Sequence, residues 1–440
     1  RSLQGFVNTV QQDLKVRKNA LVISVKRDYP VSFRMTSTST GDFQIMKKTL
    51  AALAVLGAFA GSAAAADVTL YGVVDYGFLY NYTDKQAANG TSTDENTLKL
   101  QSGVDAGSRW GVKGTEDLGN GLKVGFQLES GFNADDGTLS KYGDKQNRLF
   151  GRQATLSVYS DFGTLTFGRM GALSAAAGSY DIVYSIADAF DGGDNDVFGL
   201  YGASRYDNTV AYQTPKFAGL QVTAMYSFKQ DSNAKAENYS GDEGDFSSAK
   251  RYAGVALTGE YGPAQFVAAY ELTKYGSNAG STAAGVAPTR ELDKDANVFF
   301  LGGNYDFGVA KVFAMGQYFN GLTTAPTVVD DALVTSDNGT NDGVKGFGFH
   351  LGTQVPAAGG LITVGGYYSN FEQDGVKAGK DKLEGDYYGL AARYEYDLSK
   401  RTMLYAGAGY GVESRDKVGT DKDDTQNQLV QAYVGLTHRF

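Results

Sequence analysis

Two histidines and no cysteine restrict the chemistry open to this chain of 440 residues. His350 stands in FGFHLGTQV and His438 in the last three residues, and neither has a serine motif beside it. A hydrolytic site needs a histidine set against an acid or a serine within hydrogen-bond reach, and the spacing offers none. The absence of cysteine excludes a thiolate metal site and a disulfide framework. There is no G-x-x-x-x-G-K-[ST] loop and no EF-hand pattern. No cofactor and no dedicated metal site are expected. What remains is fixed charge. Arg109 stands in SRWG, Arg148 and Arg152 in NRLFGRQA, Arg169 in FGRM and Arg205 in SRYDN. Glu129 lies in LESGF, and Asp181, Asp188, Asp191, Asp194 and Asp196 fall within residues 170–207. Charges of both signs around one narrow, poorly polarisable space focus a field that sorts ions.

Such charges need a frame, and the chain repeats one kind of element throughout. In LQVTAMYSF, Leu220, Val222, Ala224, Tyr226 and Phe228 form one face and Gln221, Thr223, Met225 and Ser227 the other. AQFVAAYELT sets Phe266, Ala268, Tyr270 and Leu272 against Gln265, Ala269, Glu271 and Thr273. YYGLAARYEY sets Tyr388, Leu390, Ala392, Tyr394 and Tyr396 against Arg393 and Glu395. A period of two over about ten residues is a strand with two unlike faces. Short connectors such as SDFG (160–163) and PKFAG (215–219) alternate with long polar ones such as 83–96, 230–245 and 414–427. That order suits a membrane barrel with tight turns on one side and long loops on the other. Sixteen strands are expected, starting near residues 67, 99, 121, 147, 164, 208, 220, 250, 264, 296, 310, 343, 361, 385, 401 and 427. A barrel of that size surrounds water. Its first strand, DVTLYGVVDYGFLY (67–80), must pair with its last, VQAYVGLTHRF, because an open edge in lipid leaves backbone groups unsatisfied. A charge on such a strand points inward, since the lipid face penalises arginine by about 2–4 kcal/mol at mid-depth. Arg148 and Arg152, four apart, are expected on one strand and one side.

The N-terminal region reads differently. Residues 46–66, MKKTLAALAVLGAFAGSAAAA, have a basic start, a short apolar core and a small-residue end, the form of a secretory signal peptide. Residues 1–45 precede it and are expected to be translated upstream sequence outside the mature protein. Removing residues 1–66 takes 9 of the 40 basic and 3 of the 49 acidic residues, which leaves a net charge of −15. That balance excludes nucleic acid as a partner.

Several stretches together resemble the trimeric general porins of beta-proteobacterial outer membranes, the Neisseria and Burkholderia type. They are VTLYGVVDYG (68–77), SRWGVKGTEDLGNGLKVGFQLESGF (108–132), GRQATLSVYSDFGTLTFGR (151–169), NTVAYQTPKFAGL (208–220) and the final Phe440. The resemblance runs from Asp67 to Phe440. It implies an all-β, 16-stranded antiparallel transmembrane barrel in the bacterial outer membrane, a homotrimer among lipid and lipopolysaccharide, and a third external loop (170–207) folded into the lumen. It also implies that Phe440 is read by the barrel assembly machinery, and that small ions and solutes pass by diffusion. In this family, wall arginines face carboxylates across the constriction, and Arg109, Arg152 and Arg205 fall at matching positions. Arg148 and Arg169 join them as candidates, opposed by Glu129 and the five loop aspartates. Their balance leans slightly to anions, on the resemblance more than on arithmetic. Lys113, Glu116 and Asp117 read as chemistry of a periplasmic turn. A substrate-specific channel and a structural or adhesive barrel remain as alternatives.

Overall fold

A computed structural model describes residues 66–86, 90–140, 148–175, 180–191, 197–230, 248–277, 292–326, 342–376, 382–418 and 425–440. The upstream stretch, the signal peptide, Asp194 and Asp196 lie outside the described residues.

The chain from Ala66 onward forms one closed antiparallel sheet. Its first strands are β1 (Ala66–Gln86), β2 (Ser92–Ser102), β3 (Arg109–Gly119) and β4 (Leu122–Gly131). Next come β5 (Gln153–Ser160), β6 (Gly163–Gly171), β7 (Arg205–Gln213), β8 (Leu220–Ser227) and β9 (Arg251–Tyr261). β10 (Ala264–Lys274), β11 (Ala296–Asp306), β12 (Lys311–Leu322) and β13 (Val344–Ala357) follow. The last four are β14 (Gly360–Gln373), β15 (Lys382–Ser399), β16 (Thr402–Val418) and β17 (Thr425–Arg439). β2 and β3 lie end to end along the same side of β1: Tyr76 pairs with Ser102 and Val73 with Arg109. They occupy one place in the wall, so the 17 strands make a barrel of sixteen. The second wall strand is therefore an interrupted one, bent at residues 103–108, where one unbroken strand was expected.

Closure follows the expected pairing. β1 meets β17 from Val73–Arg439 to Lys85–Asn427, and Gly72 and Phe440 extend it with two backbone hydrogen bonds of 3.1 Å. The Phe440 ring lies over Gly72, where a Cβ would stand 2.3 Å from it. Glycine at position 72 thus makes room for the terminal aromatic.

The outer face is apolar along strand after strand. Leu98 and Leu100, Phe299 and Leu301, Phe347, Phe349 and Leu351, and Val430, Val434 and Leu436 are all exposed. The other face of the wall strands is buried and carries many polar side chains, among them Thr155, Ser157, Thr223, Gln317 and Gln431. This inverts a soluble sheet and puts lipid-compatible side chains outside. Exposed aromatics continue the outer face to the short turns, where Phe162 and Phe217 are more than four-fifths exposed. That position suits a membrane-interface girdle. Gly163 closes the SDFG turn at φ +126, with the place of a Cβ 2.3 Å from a carbonyl of β7. A β-carbon cannot occupy that place without moving the backbone.

The long connectors show a second difference. Residues 83–86 and 92–96, expected as loop, continue the β1–β2 ladder to Gln86–Ser92. Residues 414–418 and 425–427 likewise belong to β16 and β17. Backbone pairing outruns the apolar band, so the period-two signal stops before the hairpin does. On β2, residues 92–96 are exposed on both faces, which is why the polar sequence there reads as a loop.

Candidate functional site

The expected charges are placed by four wall strands, the segment before β5 and one long connector. Arg109 opens β3, Glu129 is near the end of β4, Arg169 is in β6 and Arg205 opens β7. Arg148 and Arg152 precede β5, which starts at Gln153. They do not share a strand, a correction to the spacing argument: Leu149–Gly151 are turn and bend, so a four-residue offset carries no fixed face. They also take different partners. Arg152 Nε donates to Glu129 Oε1 at 2.6 Å. Arg148 Nη1 lies 2.8 Å from both oxygens of Asp207, and Arg169 Nη1 donates to the same carboxylate at 2.6 Å. Asp207 was not among the expected carboxylates, although it follows Arg205 by two residues.

Arg109 stands apart. Its Nη1 donates to the carbonyl of Gly107, 2.9 Å away, and no carboxylate pairs with it among the described residues. Arg152, Glu129 and Arg439 are its charged neighbours. Lys113, four residues along β3, lies over the Tyr71 ring at 5.3 Å. It pairs in the ladder with Thr69 and Gln127 and lines a polar cavity with Gln127, Gln153 and Thr155. Lys113 is thus a wall residue on the inner face, not turn chemistry, because β3 runs on past it to Gly119. Tyr71 completes the cluster, donating to Glu129 Oε2 at 2.9 Å and accepting from Gln127 at 2.7 Å.

The connector 172–204 carries a short helix, α1 (Val183–Ala187). Its base is closed by Ala172 N–H on the Ser204 carbonyl. Along its length it reaches side chains of five other strands. Ser174 donates its N–H to Glu271 Oε1 at 3.0 Å and its hydroxyl to Oε2 at 2.7 Å, and Tyr252 donates to Oε1 at 2.7 Å. Asn304 of β11 donates to the carbonyl of Ile186 at 2.7 Å. Ala189 N–H donates to His350 Nε2 at 3.2 Å, Tyr367 donates to Asp188 at 3.0 Å, and Tyr387 donates to the Val197 carbonyl at 2.8 Å. His350 Nδ1 is 3.0 Å from the Gly366 carbonyl, so Nδ1 carries the proton and Nε2 is free to accept. Asp188 is consequently held by β14 and its own loop. Glycines on this wall leave the space: a Cβ at Gly302, Gly348, Gly352 or Gly409 would come within 2.4–2.6 Å of Ala187, Leu200, Ala189 or Val197.

Asp181 and Asp191 are close neighbours on the connector. Asp181 lines a second cavity with Gln213, Lys216 and Gln265. Burial, with the neighbouring Asp191 carboxylate adding to it, pushes the Asp181 carboxyl up to about 8.

Sequence reasoning left out one charged group, Arg393 with Asp105 and Glu395. Arg393 Nη1 lies 2.9 Å from Asp105 and Nη2 3.1 Å from Glu395. Arg393 and Glu395 already fall on the polar face of YYGLAARYEY, so the inward-charge rule could have found them. Nothing in the local pattern marks Asp105.

The Gram-negative porin family model matches residues 51–417 of the chain. An outer membrane porin protein of Bordetella pertussis is 35% identical over 90% of this chain and 100% of its own length. Outer membrane porin protein 32 of Delftia acidovorans is 31% identical, with the same coverage. Among solved structures, an anion-selective porin from Comamonas acidovorans superimposes with a TM-score of 0.56 at 24% identity, covering 85% of this chain and 100% of that one. With the closed sixteen-place barrel and its apolar outer face, these findings make the chain a member of the Gram-negative porin family of outer-membrane β-barrels.

Proposed function

We propose that the protein is a general diffusion porin: a water-filled pore passing ions and small hydrophilic solutes, with a weak preference for anions. The observation that carries the reading is the closed barrel with an apolar outer face and ion-paired charges on its inner side. In this reading the connector 172–204 folds into the lumen and narrows it, supported by its hydrogen bonds to inner-face side chains of β10, β11, β13, β14 and β15. The passage then runs between that connector and the wall bearing Arg109, Arg152 and Lys113. Anion preference follows from the pairing. Arg152 is matched by Glu129, Arg148 and Arg169 share Asp207, and Arg109 has no carboxylate partner among the described residues. Charge in the throat outweighs charge in outer loops, which salt screens beyond roughly 8 Å. The protein assembles as a homotrimer in lipid and lipopolysaccharide, with Phe440 as the signal for the assembly machinery.

Single-channel recording in a planar bilayer under a salt gradient tests this. Ohmic steps in groups of three, reversing toward the chloride value, are the expected result. Folded protein without conductance would sink the diffusion-pore reading. Asp181 adds a pH signature. Burial and the adjoining Asp191 carboxylate push its carboxyl up to about 8. Anion preference should therefore fall as the pH rises through that value, and Asp181→Asn should abolish the fall.

A further inference from the structure

The break in the second wall strand is a built feature. Gly103, at φ +73, turns the chain inward and donates its N–H to the Asp75 carbonyl at 3.0 Å. Asp105 N–H donates to Asp75 Oδ1 at 3.2 Å, and the Ser108 hydroxyl to the Asp75 carbonyl at 3.2 Å. Val104 is 3% exposed, packed with Tyr405 and Tyr433. Asp75 is in turn satisfied by Thr437 at 2.5 Å and Tyr405 at 3.0 Å. Residues 103–108 thus form a rigid tongue pinned to the inner wall by a buried carboxylate.

The tongue carries Asp105 to Arg393. β3 and β15 are separated around the wall by β16, β17 and β1. Four steps of about 4.8 Å put their backbones about 19 Å apart along the sheet. Their side chains nevertheless meet at 2.9 Å, which only an inward excursion permits. The Arg393 guanidinium also lies 5.4 Å from the centre of the Phe190 ring, on the connector 172–204. One guanidinium therefore joins both inward elements, with two carboxylates, Asp105 and Glu395, against it.

Resting on the porin reading, we propose that Asp105 is a selectivity-determining residue that neutralises Arg393 at the constriction and so limits the anion preference of the pore. The tongue is a second constricting element, adjoining the connector 172–204 at Arg393. Removing the Asp105 charge takes the cluster from net negative to a neutral Arg393–Glu395 pair and so raises the potential in the passage. The field of a pair in the narrow space is screened less than that of an external loop.

The test compares Asp105→Asn with Asp94→Asn, which removes the same charge from the exposed far end of β2. Both are recorded beside the unaltered protein in a potassium chloride gradient, with folding checked by circular dichroism. The expected result is a reversal potential shifted toward chloride for Asp105→Asn and unshifted for Asp94→Asn. Arg393→Gln should shift it the opposite way, and serves alone if Asp105→Asn does not fold. Coincident reversal potentials for the two aspartate variants, or no shift in Arg393→Gln, would overturn the proposal while leaving the porin reading intact. An unaltered protein that conducts nothing would overturn the porin reading and this one with it.

Discussion

Replacing Arg109 with glutamine is expected to move the reversal potential of the open channel strongly toward the cation value. Three of the other candidate arginines have carboxylates against them: Glu129 for Arg152, and Asp207 for Arg148 and Arg169. Arg109 contributes its charge to the passage undiminished by an ion pair. A monovalent anion about 6 Å from the guanidinium gains about 3 kcal/mol at an effective dielectric constant of 20. Screening over a Debye length of about 8 Å halves that. About 1.4 kcal/mol remains, or roughly tenfold in local anion occupancy. Several-fold loss in the chloride-to-potassium permeability ratio is the result to look for, shrinking as salt is raised. Arg148→Gln is the matched comparison. It takes the same unit charge from a group in which Arg169 and Asp207 remain as a neutral pair, so a smaller shift than for Arg109→Gln would mark Arg109 as the arginine nearer the ion's path. Equal shifts in the two variants would mean that pairing does not decide which arginine the permeating ion senses.

The barrel was legible because its physics is repetitive. Each wall strand must show lipid one kind of face and water another, and LQVTAMYSF, AQFVAAYELT and YYGLAARYEY carry that alternation in adjacent residues. Closure was legible for a similar reason, since both terminal segments had to be strands with apolar outer faces. Partner choice among the charges was not. Whether Arg152 meets Glu129 or an aspartate of the connector depends on strand stagger and side-chain reach, which period two does not encode. The tongue was hidden because SGVDAGS sits between two strand-like stretches that sum to one wall position. Polar hairpin extensions such as Ser92–Asn96 were lost because hydrogen bonding alone sustains them where the bilayer no longer imposes a pattern. Glu271 and His350 were visible as inner-face residues, but their use as anchors depends on residues of the connector some 97 and 161 positions away in sequence.

That anchoring leads to the second large effect: Glu271→Ala should detach the connector at its base while the barrel stays closed. Glu271 is 2% exposed and accepts from Ser174 N–H, the Ser174 hydroxyl and Tyr252. Truncation leaves three buried donors without an acceptor, each costing about 1–3 kcal/mol. The loss is several kcal/mol, concentrated where the connector leaves β6. The wall does not depend on it, because the backbone ladders of β10 with β9 and β11 are untouched. The Ser174 hydroxyl also accepts from Ala203 N–H at 3.0 Å, so a loosened Ser174 loosens the return limb with it. A connector freed at both limbs leaves more of the lumen open to water. Single-channel conductance and current noise should therefore rise, and limited proteolysis should cut within 172–204 while the barrel resists. Glu271→Gln keeps one acceptor oxygen but turns an amide N–H group toward donors, and should fall between the unaltered protein and Glu271→Ala. Unchanged conductance and full protease protection in Glu271→Ala would show that Tyr367, His350 and Tyr387 hold the connector without help from its base.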